Sequence, residues 1–160
     1  MKKKATEDKH EALGKMQSLC SKSEKCAFDI RQKLQALSLS KEDAEWVIHQ
    51  LINEGFIDDE RYAGFYVRDR IKFNKWGKMK IRQALEHKQI QDNIIRKILI
   101  EVNEEEYLDI LRTELKKKHQ SINDKNPWSV KAKLFRFGAS RGFEAGKIYG
   151  IIDEIMEGEE

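Results

Sequence analysis

The fold is decided by the stretch that runs from residue 81 to residue 102, IRQALEHKQIQDNIIRKILIEV. Counted from its first isoleucine, apolar residues stand at offsets +9, +14, +17, +18 and +21. The last four offsets follow the 3.6-residue period of a helix that buries one stripe of side chains. The residue at +9 falls in a short turn, where an apolar side chain fills the gap between two helices. The stretch therefore predicts a helix, a turn and a second helix.

The same spacing occurs three times in the chain. In the middle copy, which starts at Ile81, the five offsets hold Ile90, Ile95, Ile98, Leu99 and Val102. In the copy that starts at Ile30 they hold Leu39, Ala44, Val47, Ile48 and Leu51. In the copy that starts at Leu134 they hold Phe143, Ile148, Ile151, Ile152 and Ile155. The starting points lie 51 and 53 residues apart, so the chain contains an internal repeat of about 50 residues.

A further amphipathic helix precedes each of these helix pairs. It is expected at about residues 60–73 in the middle unit, with Asp58 or Asp59 as its N-cap, and at about residues 104–118 in the last unit. The first unit offers a shorter or looser version, with Leu13, Met16 and Leu19. No alternating strand pattern of useful length is present. The sequence therefore predicts an all-α protein, an elongated and curved tandem array of three three-helix repeats.

This organisation divides the chain into four segments. We expect a flexible basic tail at residues 1–10, followed by helical repeats at residues 11–57, 58–102 and 103–157. Glycine and proline support the boundaries and turns, because Gly55 suits a helix C-terminus and Pro127 suits the first position of a helix.

The net charge of +3 hides a segregated distribution. Residues 42–60 contain seven acidic residues and no lysine or arginine. Residues 68–88 contain eight basic residues against two acidic ones, and residues 112–141 contain nine against two. Blocks of one sign steer a protein toward polyanions or toward oppositely charged patches on a partner, although a solvated helix face carries similar runs.

Several classes of protein find no support in the sequence. No apolar run is long enough to span a membrane, and the basic start is not followed by the apolar segment of a signal peptide, so we expect a cytoplasmic protein. Cys20 and Cys26 are expected to be reduced and unbridged. The four histidines are scattered without metal-ligand spacing, and no glycine-rich phosphate loop is present. We therefore expect no metal, no cofactor and no enzymatic activity.

Aromatic and basic residues interleave between positions 62 and 78. Five aromatics occur there among the arginines and lysines: Tyr62, Phe65, Tyr66, Phe73 and Trp76. Such a mixture suits single-stranded nucleic acid, whose phosphates pair with cations while its bases stack on rings. Their helical spacing, however, favours a place in the core for most of them. Phe73 and Trp76 are expected to be the exposed pair.

Residues 51–63, LINEGFIDDERYA, carry a resemblance to a known family. The chain resembles the RecX family of bacterial regulatory proteins, whose segment reads L-x-x-x-G-[YF]-[IL]-[DN]-D-x-R-[FY]-A. Residues 76–85 are similar to the family's G-x-x-x-I-x-x-x-L step, residues 140–143 to its x-R-G-F turn, and residues 23–34 to its first unit. One departure is Gln89, which stands where family members usually have glycine and would hold a left-handed turn at some strain.

The resemblance implies a cytoplasmic, non-enzymatic and monomeric regulator of the RecA recombinase. Such proteins bind the RecA–single-stranded DNA filament and inhibit its growth, ATPase and strand exchange, and thereby regulate recombination and DNA repair. Charge and position select one contact strip for this role, formed by Arg68, Lys72, Lys75, Lys78 and Arg82. They select a second strip formed by Lys116, Lys117, Lys118, Lys131 and Arg136. Direct contact with single-stranded DNA is left open.

Two other classes of function compete with this interpretation. A helical protein could bind DNA directly through its basic faces, although a helix-turn-helix reader would concentrate charge on one recognition helix. A scaffold that binds only protein would leave the basic strips without a role. Salt dependence separates these classes, because each phosphate contact lowers the slope of log affinity against log salt by about 0.7 to 0.9.

Overall fold

The computed structural model describes residues 8–158 of the 160-residue chain. Within that range the chain forms helices and no strand, which confirms the predicted all-α repeat fold. The helices are α1 (Lys9–Lys22), α2 (Ala27–Ala36), α3 (Lys41–Asn53), α4 (Asp59–Lys72), α5 (Lys78–His87), α6 (Asp92–Ile100), α7 (Glu104–Ser121), α8 (Pro127–Ser140) and α9 (Ala145–Glu157). Residues 1–7 of the expected basic tail lie outside the described residues.

Short polar side chains determine where several helices begin. Ser40, Asp58, Asn103 and Asn126 each accept a hydrogen bond from a backbone N–H in the first turn of the helix that follows. Of the two residues predicted as the N-cap of α4, Asp58 and Asp59, the structure selects Asp58. The expectation of a shorter or looser first helix is wrong, because Asp8 caps α1 and the helix has the same 14-residue length as α4.

The chain divides into two compact units, and the boundary falls inside α4. The first unit comprises the described residues up to Gly64 together with Lys88–Ile90. In it, α1 and α2 both pack against α3. Its fully buried side chains include Ile30, Leu34, Val47 and Leu51. The predicted inter-helix side chain Leu39 is half-buried and packs on this core.

The 51–63 motif has a structural role in the first unit. Asp59 Oδ1 accepts a hydrogen bond of 3.0 Å from the backbone N–H of Ala27, the first residue of α2. Arg61 Nε binds Glu24 at 2.8 Å, and Arg61 Nη2 donates to the carbonyl of Gly55 at 3.1 Å. The acidic residues and the arginine of the motif therefore join the start of α2 to the turn before α4.

The second unit comprises Phe65–His87 and the described residues from Gln91 onward. In it, α5 packs against α6, and α7, α8 and α9 pack against one another. The predicted apolar stripes are buried at Ile81, Ile95 and Leu99 and at all six positions from Leu134 to Ile155. Ile98 and Val102 are half-buried.

A left-handed residue precedes the inter-helix side chain in every repeat. The backbone φ angles are 60° at Ser38, 58° at Gln89 and 91° at Gly142. Gln89 therefore adopts the left-handed turn that the resemblance predicted at this position. An L-residue in this conformation costs roughly 1–2 kcal/mol because its Cβ approaches the following carbonyl.

Two glycines, Gly77 and Gly142, let the backbone before α5 pack directly on the backbone of the turn between α8 and α9. The Gly77 N–H donates to the carbonyl of Arg141 at 2.7 Å, and the Met79 N–H donates to the carbonyl of Gly142 at 3.0 Å. A Cβ built on Gly77 would lie 2.3 Å from the carbonyl carbon of Gly142. A Cβ on Gly142 would lie 2.3 Å from Cβ of Lys80. The start of α5 is thus capped by the backbone of the turn between α8 and α9.

Replacing Gly77 or Gly142 by alanine should lower the free energy of unfolding by about 2–4 kcal/mol, because the new methyl group meets backbone atoms that cannot move aside. The control is Gly150→Ala in α9, where nothing lies within 4 Å of the added Cβ. That change should raise stability by roughly 0.5–1 kcal/mol. Urea denaturation measures all three variants, and equal effects at Gly142 and Gly150 would contradict the steric argument.

Gln89→Gly should raise the free energy of unfolding by roughly 0.5–1 kcal/mol, since relief of the left-handed strain exceeds the entropy that glycine adds to the unfolded chain. Gln83→Gly, at an exposed position inside α5, is the matched control and should cost about 1 kcal/mol. The thermal midpoint should rise for Gln89→Gly and fall for Gln83→Gly. A fall in both variants would show that the left-handed conformation of Gln89 is not strained.

Candidate nucleic-acid and partner interface

All ten residues of the two predicted contact strips belong to the second unit. The first strip runs from the exposed side of α4 through the turn into α5. The second strip lies on the last turns of α7 and on α8. The structure gives these ten cations different surroundings: some are engaged inside the unit, some line its surface depressions, and two are exposed outside both.

Lys78 and Arg82 are engaged with acidic side chains of their own unit. Lys78 Nζ lies 3.6 Å from Glu104 and 5.0 Å from the centre of the Tyr107 ring, and its side chain is only 20% exposed. Arg82 Nη1 lies 3.4 Å from Asp92 Oδ1. Since part of each charge is already neutralised, these two positions offer less to a polyanion than their charge in the sequence indicates.

Tyr107 is the centre of a polar network beneath Lys78. Its hydroxyl accepts a hydrogen bond of 2.9 Å from the backbone N–H of Lys78 and donates one to Glu144. Lys147 contacts Glu104 and Glu144, with its ammonium 5.4 Å from the centre of the Tyr107 ring. Burial and the hydrogen bond to Glu144 raise the pKa of Tyr107 well above its ordinary value. The tyrosine therefore stays protonated and joins the starts of α5 and α9.

Arg68 and Lys72 of α4 line a depression of about 690 Å³. Its lining also includes the buried side chains Val67, Ile71 and Tyr107. The acidic residues that line it are Glu101, Glu106 and Asp109. A depression lined by both charges suits a protein segment of mixed charge better than a uniform polyanion.

Lys75 and Lys117 line a common depression of about 170 Å³, although they come from different strips. Asp109, Thr113 and Glu114 complete its wall. Lys75 Nζ donates to the carbonyl of Lys72 at 2.6 Å, and Lys117 Nζ lies 3.8 Å from Glu114. The structure therefore brings the two predicted strips together at this depression.

Lys118 and Arg136 line a third depression, the α7–α8 cleft. Its volume is about 510 Å³ and its lining consists of Lys118, Ser121, Ile122, Asn123, Lys133, Arg136 and Phe137. Lys133 is a cation that the sequence reasoning missed, although its spacing of three residues from Arg136 indicates a shared side of α8. Lys133 is 3.0 Å from Asp124. Hydrogen bonds from Ser129, Asn126 and Lys133 lower the pKa of Asp124.

The remaining predicted cations, Lys116 and Lys131, are exposed, with Lys131 Nζ 6.0 Å from the centre of the Trp128 ring. Of the two aromatics predicted to be exposed, Phe73 is 70% exposed, which confirms the prediction. Trp76 is half-buried instead, because Arg70 and Lys80 lie 5.4 and 4.6 Å from its ring centre. Trp128, which was not predicted as exposed, has 82% of its surface in solvent.

Residues 8–158 hold no cluster of three histidine, cysteine or acidic side chains that could bind a metal ion. Nor does this part of the chain contain a helix with the length and apolar character needed to cross a membrane. Cys20 and Cys26 are not in a disulfide bond. Burial raises the pKa of the Cys26 thiol to about 11, so it is protonated at neutral pH.

The helical repeats define a protein of the tandem three-helix-repeat class. Residues 58–99 match the family model of the second three-helix domain of RecX, and residues 104–152 match that of the third. Regulatory protein RecX of Neisseria gonorrhoeae is 30% identical over 130 residues, which cover 81% of each chain. The chain belongs to the RecX family, as the resemblance in its sequence predicted.

Two further relatives extend the comparison. Regulatory protein RecX of Clostridium acetobutylicum is 34% identical over 143 residues, which cover 87% of this chain and 66% of the relative. The chain thus spans slightly less than two thirds of that relative's length. The crystal structure of RecX from Lactobacillus salivarius superimposes with a TM-score of 0.83 at 23% identity, over 91% of this chain and 95% of that one. This likeness shows a common fold.

Tyr107→Phe should lower the free energy of unfolding by about 1–3 kcal/mol, because it leaves the Lys78 N–H and the Glu144 carboxylate without their shared partner. The control is Tyr149→Phe, which removes a hydroxyl from a side chain that is 54% exposed and should change stability by less than about 0.5 kcal/mol. Guanidinium denaturation compares the two variants. If both lose the same amount, the Tyr107 network does not stabilise the unit.

Proposed function

We propose that this chain is a non-enzymatic regulator that binds the RecA–single-stranded DNA filament and limits its growth, ATPase and strand exchange. Membership of the RecX family supports a regulatory role. One structural observation supports the proposal further. Lys75 and Lys117 come from different predicted repeats, yet both line the same depression. A filament that combines DNA phosphates with acidic protein is a matching partner.

The proposed mechanism is a shift of the filament between states. A regulator that binds one state of the filament more tightly than another displaces the equilibrium by its difference in affinity. Neither a reaction step nor a cofactor is required of this chain, and its own residues act by binding alone. The α7–α8 cleft supplies cations, while the Lys75–Lys117 depression and the depression beside Arg68 and Lys72 are lined by both cations and carboxylates. Together they offer contacts to both components of the filament.

The test is the DNA-dependent ATPase of the cognate RecA on single-stranded DNA, titrated with this protein. Wild-type protein should reduce the ATPase. The variant Lys75→Glu/Lys117→Glu should need a roughly tenfold higher concentration for half-inhibition, a loss of about 1.4 kcal/mol. The matched control is Lys33→Glu/Lys41→Glu, which places the same charge change on exposed lysines of the first unit. It should inhibit like the wild type.

Direct binding to DNA is the competing function. It predicts tight binding to bare DNA with a steep salt dependence, about 0.7 to 0.9 in the log–log slope for each phosphate contacted. An unchanged RecA ATPase together with tight binding to bare DNA would overturn the proposal in favour of the direct binder. Equal loss of inhibition in the two double variants would instead reject the Lys75–Lys117 depression as the contact.

A further inference from the structure

Helix α8 has two faces of different composition. Its buried face consists of Val130, Leu134 and Gly138. One flank of this face carries Trp128, Lys131 and Phe135, which recur at i, i+3 and i+7 as one helical stripe, and Arg136 is exposed on the neighbouring side of the helix. The Trp128 ring is 82% exposed. A helix of a compact unit normally turns a polar face to water, so a large aromatic on this side is unexplained by folding alone.

A second aromatic group continues the stripe onto α9. The rings of Phe135 and Tyr149 are stacked, with their centres 4.7 Å apart and their planes within 15° of parallel. Tyr149 is 54% exposed. Stacked rings hold each other in a fixed orientation, and the exposed part of Tyr149 can receive one more flat group.

Two exposed cations of α8 lie outside the ion pairs of the unit. Neither Lys131 nor Arg136 forms an ion pair with any residue between positions 8 and 158. Lys131 Nζ is 6.0 Å from the Trp128 ring centre, and Arg136 also lines the α7–α8 cleft with Lys118 and Lys133. Residues 112–141, which include α8, carry nine basic residues against two acidic ones. The aromatic stripe therefore borders a strongly positive surface.

We propose that Trp128, Lys131, Phe135, Arg136 and Tyr149 form a stacking platform for the bases of single-stranded DNA. Bases cover the Trp128 and Tyr149 rings, and the phosphates follow Lys131 and Arg136 toward the α7–α8 cleft. This inference rests on the proposed function and deepens it, because it names the filament component that the third repeat contacts. Stacking needs no base-specific hydrogen bonds, so the platform accepts any sequence.

The composition of the surface favours nucleic acid over a protein partner. A protein-binding helix face usually presents a contiguous apolar centre with its charges at the rim. Here cations alternate with the rings along α8. A single strand supplies a flat ring and a negative charge with each nucleotide, and an alternating surface is complementary to that pattern. The acidic exception is Asp153, which follows Tyr149 by one helical turn on the exposed side of α9.

The test is fluorescence anisotropy with a labelled thymidine oligonucleotide at a series of salt concentrations, using the full chain. Trp128→Ala and Tyr149→Ala should each weaken binding by roughly 5- to 100-fold. They should leave the slope of log affinity against log salt unchanged, because they remove no charge. Lys131→Gln and Arg136→Gln should each reduce that slope by about 0.7. Asp153→Asn should strengthen binding, since it removes a charge that repels phosphate.

Two controls make the result specific. Phe73→Ala removes another exposed aromatic with a lysine near its ring, in the turn that follows α4, and should leave oligonucleotide affinity unchanged. Trp128→Tyr keeps a flat ring and should retain most of the affinity, while the quenching of tryptophan emission on binding should decrease. Trp128, Lys131, Arg136 and Asp153 are exposed, so the thermal midpoints of their variants should match the wild type and show that loss of binding is not loss of folding. Tyr149→Ala also removes the stack on Phe135, so its midpoint should fall slightly while the protein stays folded at the assay temperature.

The outcomes separate the platform from the proposed function. If Trp128→Ala keeps its affinity for the oligonucleotide but inhibits the RecA ATPase less well, the patch contacts protein and the stacking proposal is overturned. If both alanine variants bind as the wild type does, or if the wild type does not bind the oligonucleotide at low salt, the platform is rejected. In each of these cases the ATPase titration with the Lys75→Glu/Lys117→Glu variant still decides the proposed function independently.

Discussion

The second unit depends on the backbone contact between Gly77 and Gly142. Three successive N–H groups at the start of α5, from Gly77, Lys78 and Met79, donate to Arg141, Tyr107 and Gly142. A helix must satisfy its first N–H groups outside itself, and α5 does so through the following repeat. The first unit solves the same problem with a side chain, because Asp59 accepts the N–H at the start of α2. In both units, the N–H groups at the start of a helix are therefore satisfied by residues of a later segment of the chain, and these hydrogen bonds help to hold the helices of the unit together.

This capping arrangement also decides which cations remain available for binding. Lys78 and Lys147 lie against the Tyr107 ring and the carboxylates around it, so their charge offsets that of Glu104 and Glu144. Burial alone would lower the pKa of Lys147, but Glu104 and Glu144 raise it, and the ammonium stays charged. The cations on the three surface depressions lie outside this network. The positive charge of the unit therefore separates into a structural part and a part that faces solvent.

The sequence predicted most of the fold because burial follows a local period. The repeated offsets from Ile30, Ile81 and Leu134 need no knowledge of distant contacts, and the turns follow from the residue that precedes each inter-helix side chain. Pairing across repeats has no such local signal. Tyr107 reads only as an apolar position of α7, although it makes the hydrogen bond that helps to start α5. Trp128 was missed because a charge count does not reveal which aromatic residue the core leaves out.

A regulator of a filament has to distinguish the assembled filament from its separate components. A strong site for DNA alone would direct the protein to bare single strands, and a strong site for protein alone would direct it to unassembled recombinase. Two sites of moderate affinity on one unit bind weakly to bare single strands and to unassembled recombinase. They bind the filament more tightly, because the second contact forms at a high effective concentration once the first is made. The stacking platform proposed for α8 and the mixed-charge depression beside Arg68 fit this division of labour. Because the second unit forms both surfaces, its internal packing keeps them at a fixed spacing, and under the proposal a partner must offer DNA and protein at that spacing to engage both.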